Sequence, residues 1–370
     1  MNNTNVATKK KREPLFHITK RTALNWKLSF GIRAIAIICA LVFMTIVFLL
    51  LSEENPLVLY KTMFEGAFGN PLRIWMLFSN TAILLGISLA LTPAFKMKFW
   101  NCGGEGQVII ACLVTAMLMF FVGDSVPYPL LVVLMIVSSL LIGAVWALIP
   151  AIFKSKWNTN ETLFTLMMNY IAIQCVTYFL KVFGNAQGNQ EPLPQFALPK
   201  IFGDRYFLNI LLIVVICILM FVYLRYSKHG YEISVVGESE KTAKYVGINV
   251  SKVIIRTMII SGALCGLVGF LLVANGSCAV TTTITGGRGF TAILVSWLAK
   301  FNPIYMILTS FLVIFLQQGT SFMGDIYRLD TSMADIFIGV VLLFIIGCEF
   351  FINYKINFKR PSKENKEVAK

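Results

Sequence analysis

The segment PLLVVLMIVSSLLIGAVWALIPAI, residues 129–152, contains no charged side chain. As a helix rising about 1.5 Å per residue, it crosses the hydrocarbon core of a bilayer, which is about 30 Å thick. Similar apolar runs recur along the chain, so the sequence predicts an all-α, polytopic transmembrane helix bundle of about ten spans. The predicted spans lie at 34–51, 74–95, 106–122, 129–152, 162–182, 207–224, 254–274, 280–299, 304–322 and 334–352.

The composition excludes a soluble globular protein. Hydrophobic residues make up 57% of the 370 residues and charged residues only 14%, with a mean hydropathy of +0.75. A soluble fold with this composition would expose large apolar patches to water. The chain is therefore predicted to be a multi-pass membrane protein.

Basic residues concentrate at the two ends of the chain. If the amino end is cytoplasmic, all but seven of the 32 Lys and Arg lie on the inner side, as the positive-inside rule requires. An even number of spans then makes both termini cytoplasmic. The ends carry most of the +14 net charge and face anionic lipid, so no nucleic-acid partner is needed to explain it. The predicted organisation is a basic segment 1–33, a membrane domain 34–352 and a basic tail 353–370.

The eighth predicted span, 280–299, is the weakest of the set. Threonines at 281–283, followed by Gly286, Gly287 and Arg288, interrupt its apolar character. Irregular backbone at membrane depth is tolerated only where protein or a watery cavity covers it, so this segment is a candidate for lining a pathway. The alternative is an ordinary helix that packs against small residues.

Small residues also recur at three- and four-residue spacings in the span 254–274. This pattern predicts close packing of that helix against a neighbour, without indicating a ligand. The residues are Ser261, Gly262, Ala263, Gly266 and Gly269.

Two segments place polar groups at the entrances of spans. They are NCGGEGQ at 101–107 and TNETLFTLMMNYIA at 159–172. A carboxylate near a bilayer is costly unless it is paired or hydrated, so these groups are candidates for a substrate pathway. The alternative is that they cap helices or form hydrogen bonds between helices. The candidate pathway residues are Asn101, Glu105, Gln107, Asn160, Glu161 and Asn169.

The inner connection, at about 225–256, contains a predicted short helix from Glu238 to Tyr245. Gly237 and Gly247 flank it and are predicted to supply its breaks. A short cytoplasmic helix between two spans is suited to transmit motion from another subunit, although a solvated linker has a similar composition.

Catalysis and metal binding have no support in the residue pattern. The eight cysteines are scattered singly, and the two histidines lie in separate polar segments. The sequence also lacks a GxxxxGK[ST] phosphate loop, so any ATP must be hydrolysed by another chain. We predict no catalytic residues and no metal ligands.

Five ordered segments carry a family resemblance. They are NCGGEGQ, TNETLFTLMMNYIA, VVGESEKTAKYVGINV, SGALCGLVG and GFTAILVSWLAKFNP. Over residues 75–350 the chain resembles permease subunits of bacterial ABC importers for nucleosides, within the branched-chain amino acid and ribose type permeases. The first motif departs from the family's FNIGAEGQ at Cys102 and Gly104. In the last, Thr291 and Ala292 replace an acid and a glycine of the family's GFDGIAVALLG.

The resemblance implies a permease subunit in a bacterial plasma membrane that binds no cofactor itself. Its implied partners are ABC ATPase subunits that use ATP, a second permease in a heterodimer, and an extracytoplasmic substrate-binding lipoprotein. The small-molecule cargo is expected to be a nucleoside, moved by alternating access. The short cytoplasmic helix and its flanking glycines are the candidate ATPase-coupling element, with Gly237, Glu238, Ala243, Lys244, Tyr245 and Gly247 as its candidate residues.

Other functions remain open from the residues alone. An ABC importer of a sugar or a branched-chain amino acid would share the same motifs. A secondary transporter coupled to protons or sodium would share the composition, although no Asp or Glu lies in the middle of a predicted span, which disfavours proton coupling. A membrane-embedded enzyme is disfavoured because no His, Cys or Asp cluster is present in the sequence.

Overall fold

The computed structural model describes residues 16–21, 26–51, 55–185, 190–201, 205–328 and 332–358. Thirteen α-helices and two short strands form the described part of the chain. Short 3-10 turns at Gly123–Ser125 and Pro194–Phe196 and a π turn at Val273–Ser277 supplement them. The elements are β1 (Phe16–Lys20), α1 (Trp26–Leu51), α2 (Pro56–Phe68), α3 (Pro71–Lys96), α4 (Gly104–Val122), α5 (Tyr128–Trp157), α6 (Glu161–Phe183), α7 (Phe207–Tyr226), α8 (Lys228–Glu238), α9 (Glu240–Tyr245), α10 (Val250–Leu272), α11 (Arg288–Leu298), α12 (Pro303–Tyr327), α13 (Ser332–Asn353) and β2 (Tyr354–Phe358).

Nine segments in the described ranges are long and apolar enough to cross a membrane. They confirm the predicted polytopic helix bundle, and they correspond to every predicted span except the eighth. That segment contains only the eleven-residue helix α11, preceded by turns, so the prediction of an interruption is confirmed. The nine are Gly31–Leu49, Pro71–Lys96, Gly104–Ser125, Tyr128–Trp157, Glu161–Phe183, Phe207–Tyr226, Val250–Ser277, Pro303–Tyr327 and Asp335–Ile352.

The chain divides into two compact units. The first comprises residues 1–61 and 326–370, and its described core is α1 packed against α13. Arg33 Nε donates to Glu349 Oε1 at 3.1 Å, and the ring of Phe48 stacks on that of Phe337 with centroids 5.9 Å apart. The first contact joins the start of α1 to the end of α13, and the second joins the end of α1 to the start of α13, so the two helices run antiparallel.

A two-stranded antiparallel ribbon is formed by the strand that precedes α1 and the strand that follows α13. Strand β1 pairs with β2, with Phe16 opposite Phe358 and Lys20 opposite Tyr354. The all-helical prediction did not include this ribbon. Its consequence for topology is that β1, which precedes α1, and β2, which follows α13, lie side by side.

The second unit, residues 62–325, is built around α3 and α10. Helices α5 and α10 touch through glycines: a Cβ added to Gly262 would lie 2.2 Å from the carbonyl oxygen of Gly143, and one added to Gly266 would lie 2.1 Å from that of Ser139. Backbones this close leave no space for a side chain. The close packing predicted from the small residues of 254–274 is confirmed.

Helix α3 forms the centre of the second unit and packs against α7, α10 and α11. Helix α11 follows its carboxyl-terminal part: Ser296 Oγ donates to the Ser88 carbonyl at 3.1 Å, and the Phe301 ring is parallel to that of Phe95. At the other end of α11, Arg288 Nη2 donates to Asn80 Oδ1 at 3.1 Å. The eighth predicted span is therefore half irregular and half helical, and we call residues 278–298 the broken crossing.

Candidate functional site

The side chain of Glu105 binds the start of α11, where the broken crossing becomes helical. It lies in the first turn of α4 and is 6% exposed. Its carboxylate accepts hydrogen bonds from the hydroxyl of Thr285, from the backbone N–H of Gly287 at 3.1 Å and from that of Gly289 at 2.7 Å. A helix leaves its first N–H groups without partners inside the helix and carries a partial positive charge at that end. Glu105 supplies both the acceptors and the opposite charge.

Glycines permit this arrangement in two ways: two of them adopt a positive φ, and a third leaves space for the backbone of α4. Gly286 and Gly287 have φ of +56° and +72°, a region that L side chains rarely adopt. A Cβ added to Gly289 would lie 2.4 Å from the backbone nitrogen of Glu105. The backbones of α11 and α4 are therefore too close to leave space for a side chain at residue 289, and the Glu105 carboxylate reaches its donors only because Gly289 has no side chain.

Buried amides brace the turn of α4 that carries Glu105. Asn169 Oδ1 accepts from the Gly106 N–H at 2.8 Å, and Asn169 Nδ2 donates to the Cys102 carbonyl at 2.9 Å. Asn101 Oδ1 accepts from Gln107 Nε2 at 3.2 Å, while its Nδ2 donates to Ser261 on α10. These contacts fix α4 to α6 and α10 on both sides of Glu105.

The structure brings four of the six candidate pathway residues together and leaves two apart. Asn101, Glu105, Gln107 and Asn169 form one buried polar group around the start of α4. In contrast, the Asn160 side chain caps α6 by accepting from the Leu163 N–H. Glu161 pairs with Lys154 at 2.8 Å between the carboxylate and ammonium.

The partners of Glu105 were only partly visible in the sequence. Gly286, Gly287 and Arg288 stand out in the sequence as interruptions of the eighth predicted span, whereas Thr285 and Gly289 do not stand out individually. The available signal was the TGGRG cluster at 285–289, which combines glycines with a hydroxyl and a cation inside an apolar segment. Among the described residues there is no group of three His, Cys, Asp or Glu that could hold a metal ion.

The inner connection contains two helices where one was predicted. Helix α8 ends at Glu238 and α9 begins at Glu240, with Ser239 between them accepting from the Thr242 N–H. The prediction that Gly237 breaks the helix is wrong, because it lies inside α8. A Cβ added there would lie 2.1 Å from the Lys96 carbonyl oxygen at the end of α3, so the glycine serves close packing.

Helix α9 presents one face to the protein and the other to solvent. Ala243 is fully buried in an apolar cluster with Phe99 and Ile233, whereas Tyr245 is 94% exposed. Lys244 and Glu238 are also exposed. Gly247 follows with φ +83° and no atom near its missing side chain, so the predicted break at Gly247 is confirmed.

An ion pair holds α8 against α10. Arg256 Nη2 donates to Glu232 Oε2 at 2.8 Å, and His229 also faces this carboxylate. The hydrogen bond from Arg256 lowers the pKa of Glu232 from its ordinary value. The carboxylate therefore stays charged, and the pair stays intact, at physiological pH.

Comparison with known proteins identifies the family. Residues 72–346 match the family described as the branched-chain amino acid transport system permease component. The chain belongs to this family. It is an ABC transporter permease subunit, and its nine apolar segments fit the multi-pass plasma membrane protein that the family implies.

Several curated permeases resemble the chain over most of its length. A glucose ABC transporter permease protein of Haloferax volcanii is 25% identical over 95% of both chains. A guanosine ABC transporter permease protein of Bacillus subtilis is 27% identical over 81% of this chain and 86% of its own length. A nucleoside ABC transporter permease protein of Lactococcus lactis is 24% identical over 85% and 90%. No solved structure gives a significant match.

Proposed function

We propose that this chain is the permease subunit of an ATP-driven importer of nucleosides. The observation that carries the proposal is the broken crossing, whose irregular half is held in the bundle by Glu105. Irregular backbone at membrane depth is a feature of transport pathways. The guanosine and nucleoside permeases among the relatives favour nucleosides as cargo. The cargo crosses without chemical change, so no enzymatic activity and no bound cofactor are required of this chain.

Alternating access requires that motion reach the broken crossing from the cytoplasmic side. Helix α8 contacts the end of α3 through Gly237, and α3 in turn contacts α11 through Ser88 and Asn80. We assign α8 and α9 to ATPase docking, with Tyr245 and Lys244 on the exposed face. Movement of a docked ATPase would then pass through α3 to α11, since a packed helix moves as a unit.

The remaining features of the proposal concern partners and orientation. ABC ATPase subunits, a second permease in a heterodimer and an extracytoplasmic lipoprotein complete the importer. Both termini are assigned to the cytoplasm, which is supported by the basic ends and by the pairing of β1 with β2. Reporter fusions at the two ends test this orientation, and reporters on opposite sides of the membrane would contradict it.

Uptake measurements test the cargo. Cells with and without this chain, supplied with its neighbouring subunits, are given labelled nucleosides, glucose, ribose and branched-chain amino acids. We expect ATP-dependent accumulation of nucleosides only in cells that contain the chain. Nucleoside uptake that does not depend on the chain would contradict the proposal.

Glucose is the second candidate cargo. The Haloferax volcanii glucose permease matches 95% of both chains, which is the most complete coverage among the three relatives described. The same uptake panel separates the two candidates. Chain-dependent accumulation of glucose without nucleosides would replace nucleoside import with sugar import and leave the permease assignment intact.

Replacing Gly247 tests the coupling segment. A β-branched side chain at its φ of +83° costs about 1–2 kcal/mol, so Gly247→Val is expected to distort the junction between α9 and α10. ATP-coupled uptake should fall severalfold while the chain stays inserted in the membrane. The measurement combines ATPase co-purification, cargo-stimulated ATP hydrolysis and uptake, with Glu367→Ala in the carboxyl tail as the control.

Deleting residues 238–245 is the stricter version of that experiment. The deletion removes the proposed docking helix and should abolish both ATPase binding and ATP-dependent uptake. Retention of both activities would show that α9 is a linker.

A further inference from the structure

Asn275 is a buried amide for which the described residues provide no hydrogen bond. It is 2% exposed, and both its side-chain nitrogen and its side-chain oxygen are enclosed without a partner in the described part of the protein. A buried amide without partners is unfavourable, and proteins retain such groups where they have a use. Asn169 differs sharply, because both polar atoms of its side chain form hydrogen bonds.

The position of Asn275 connects it to the broken crossing. It lies in the π turn Val273–Ser277 that ends α10, and π turns occur frequently at functional sites. Cys278, the first residue of the broken crossing, donates its N–H back to the Val273 carbonyl at 3.0 Å. The unpartnered amide therefore stands one turn before the irregular half of the crossing, at the opposite end from α11.

A second buried amide, that of Gln190, binds the start of the broken crossing. Gln190 is 5% exposed; its Oε1 accepts from the Val280 N–H at 2.9 Å, while its Nε2 is enclosed without a partner among the described residues. The segment 190–198 that carries it is tied down by Leu193 N–H to the Cys278 carbonyl and by Leu198 N–H to the Ala274 carbonyl. This segment is therefore hydrogen-bonded to the chain on both sides of Asn275.

We propose that Asn275 is a cargo-contacting residue at the mouth of the broken crossing, exposed when segment 190–198 moves away. This inference rests on the proposed import function and specifies a residue that recognises the cargo by hydrogen bonds. A carboxamide offers one donor and one acceptor side by side, which pairs with an adjacent acceptor and donor on a heterocycle edge. The chemical class that fits is a nucleobase with exocyclic carbonyl or amino groups.

The unfolding temperature of variants distinguishes a cargo-contacting Asn275 from an Asn275 that only stabilises the fold. In the purified complex, Asn275→Leu replaces an unpaired amide with an apolar group of similar size, so the unfolding temperature should stay the same or rise. Asn169→Leu is the matched control, because the same substitution there removes two hydrogen bonds and should lower the unfolding temperature. If Asn275→Leu lowers the unfolding temperature as much as the control does, the amide has a structural partner or an ordered water only, and the inference is overturned.

Uptake of two different cargos distinguishes a direct contact between Asn275 and the cargo from a general effect of the substitution on the motion of the transporter. Uptake of guanosine by the Asn275→Leu complex should fall about tenfold. Uptake of purine riboside, which lacks the exocyclic oxygen and amine, should fall much less. An equal loss for both cargos, or no loss, overturns the inference.

The proposed function and this inference fail in different ways. A wild-type complex that carries no nucleoside refutes nucleoside import. The Asn275→Leu complex is then measured with the solute that is carried and with an analogue lacking one of its hydrogen-bonding groups. A selective loss supports the cargo contact, and a uniform loss overturns it.

Discussion

Glu105→Ala is expected to abolish uptake and to destabilise the second unit of the protein. The substitution leaves the Thr285 hydroxyl and the N–H groups of Gly287 and Gly289 without their acceptor in a buried site. Hydrogen bonds to a charged group contribute about 1.5–3 kcal/mol each, and their losses overlap at one site, so we expect the free energy of unfolding to fall by about 3 kcal/mol or more. Thermal unfolding of the purified complex and uptake in proteoliposomes measure the two effects.

Two companion variants make the result specific. Glu105→Gln keeps one acceptor oxygen but turns an N–H₂ group toward donors, so its uptake and stability should lie between those of wild type and Glu105→Ala. Asp124→Ala removes an exposed carboxylate just beyond the far end of α4 and should change neither quantity. Wild-type uptake by the alanine variant would mean that the broken crossing does not need its carboxylate cap.

The sequence predicted where Glu105 would lie but not what it would bind. Its position in a glycine-rich entrance, and the cost of a charge near lipid, indicated a partnered carboxylate. Its partners Thr285, Gly287 and Gly289 lie at least 180 residues away, and the residues of a single sequence do not specify which two spans meet. Long-range pairing of this kind is decided by tertiary packing, which local periodicity does not encode.

The same limit explains the ribbon of β1 and β2. Each strand has five residues, and the two lie at opposite ends of the chain, so neither shows the repeated alternation that identifies a sheet. By contrast, the apolar spans depend only on length and composition and were predicted well. The small residues of α10 were also interpreted correctly, because close helix packing has a local signature.

Gly237 shows how a local rule can select the right residue for the wrong reason. Glycine next to a short helix suggested a break, yet α8 continues through this position to Glu238. The sequence cannot reveal that the Lys96 carbonyl at the end of α3 occupies the space of a side chain. The requirement for glycine comes from a neighbouring helix and not from the backbone conformation of Gly237.

Gly237→Val is therefore expected to uncouple ATP hydrolysis from uptake while the spans remain inserted. An added Cβ would lie 2.1 Å from the Lys96 carbonyl oxygen and 3.2 Å from the Met97 Cα, both backbone atoms that cannot rotate away. Overpacking of this kind costs about 1–3 kcal/mol, which α8 relieves by separating from α3. Since α3 also contacts α11, we expect ATP-dependent uptake to fall at least about tenfold. Uptake and cargo-stimulated ATP hydrolysis, measured on the same preparation, test this expectation.

Gly339→Val is the matched control, because Gly339 also lies inside a helix and has no atom within 4 Å of an added Cβ. It introduces the same β-branched side chain, with the same helix propensity, at a position without a backbone neighbour. Gly237→Ala provides a graded test, since a methyl group already meets the Lys96 carbonyl and should impair uptake more than Gly339→Val does. If Gly237→Val and Gly339→Val support uptake equally, the contact between α8 and α3 does not transmit the motion, and the route through α3 must be abandoned.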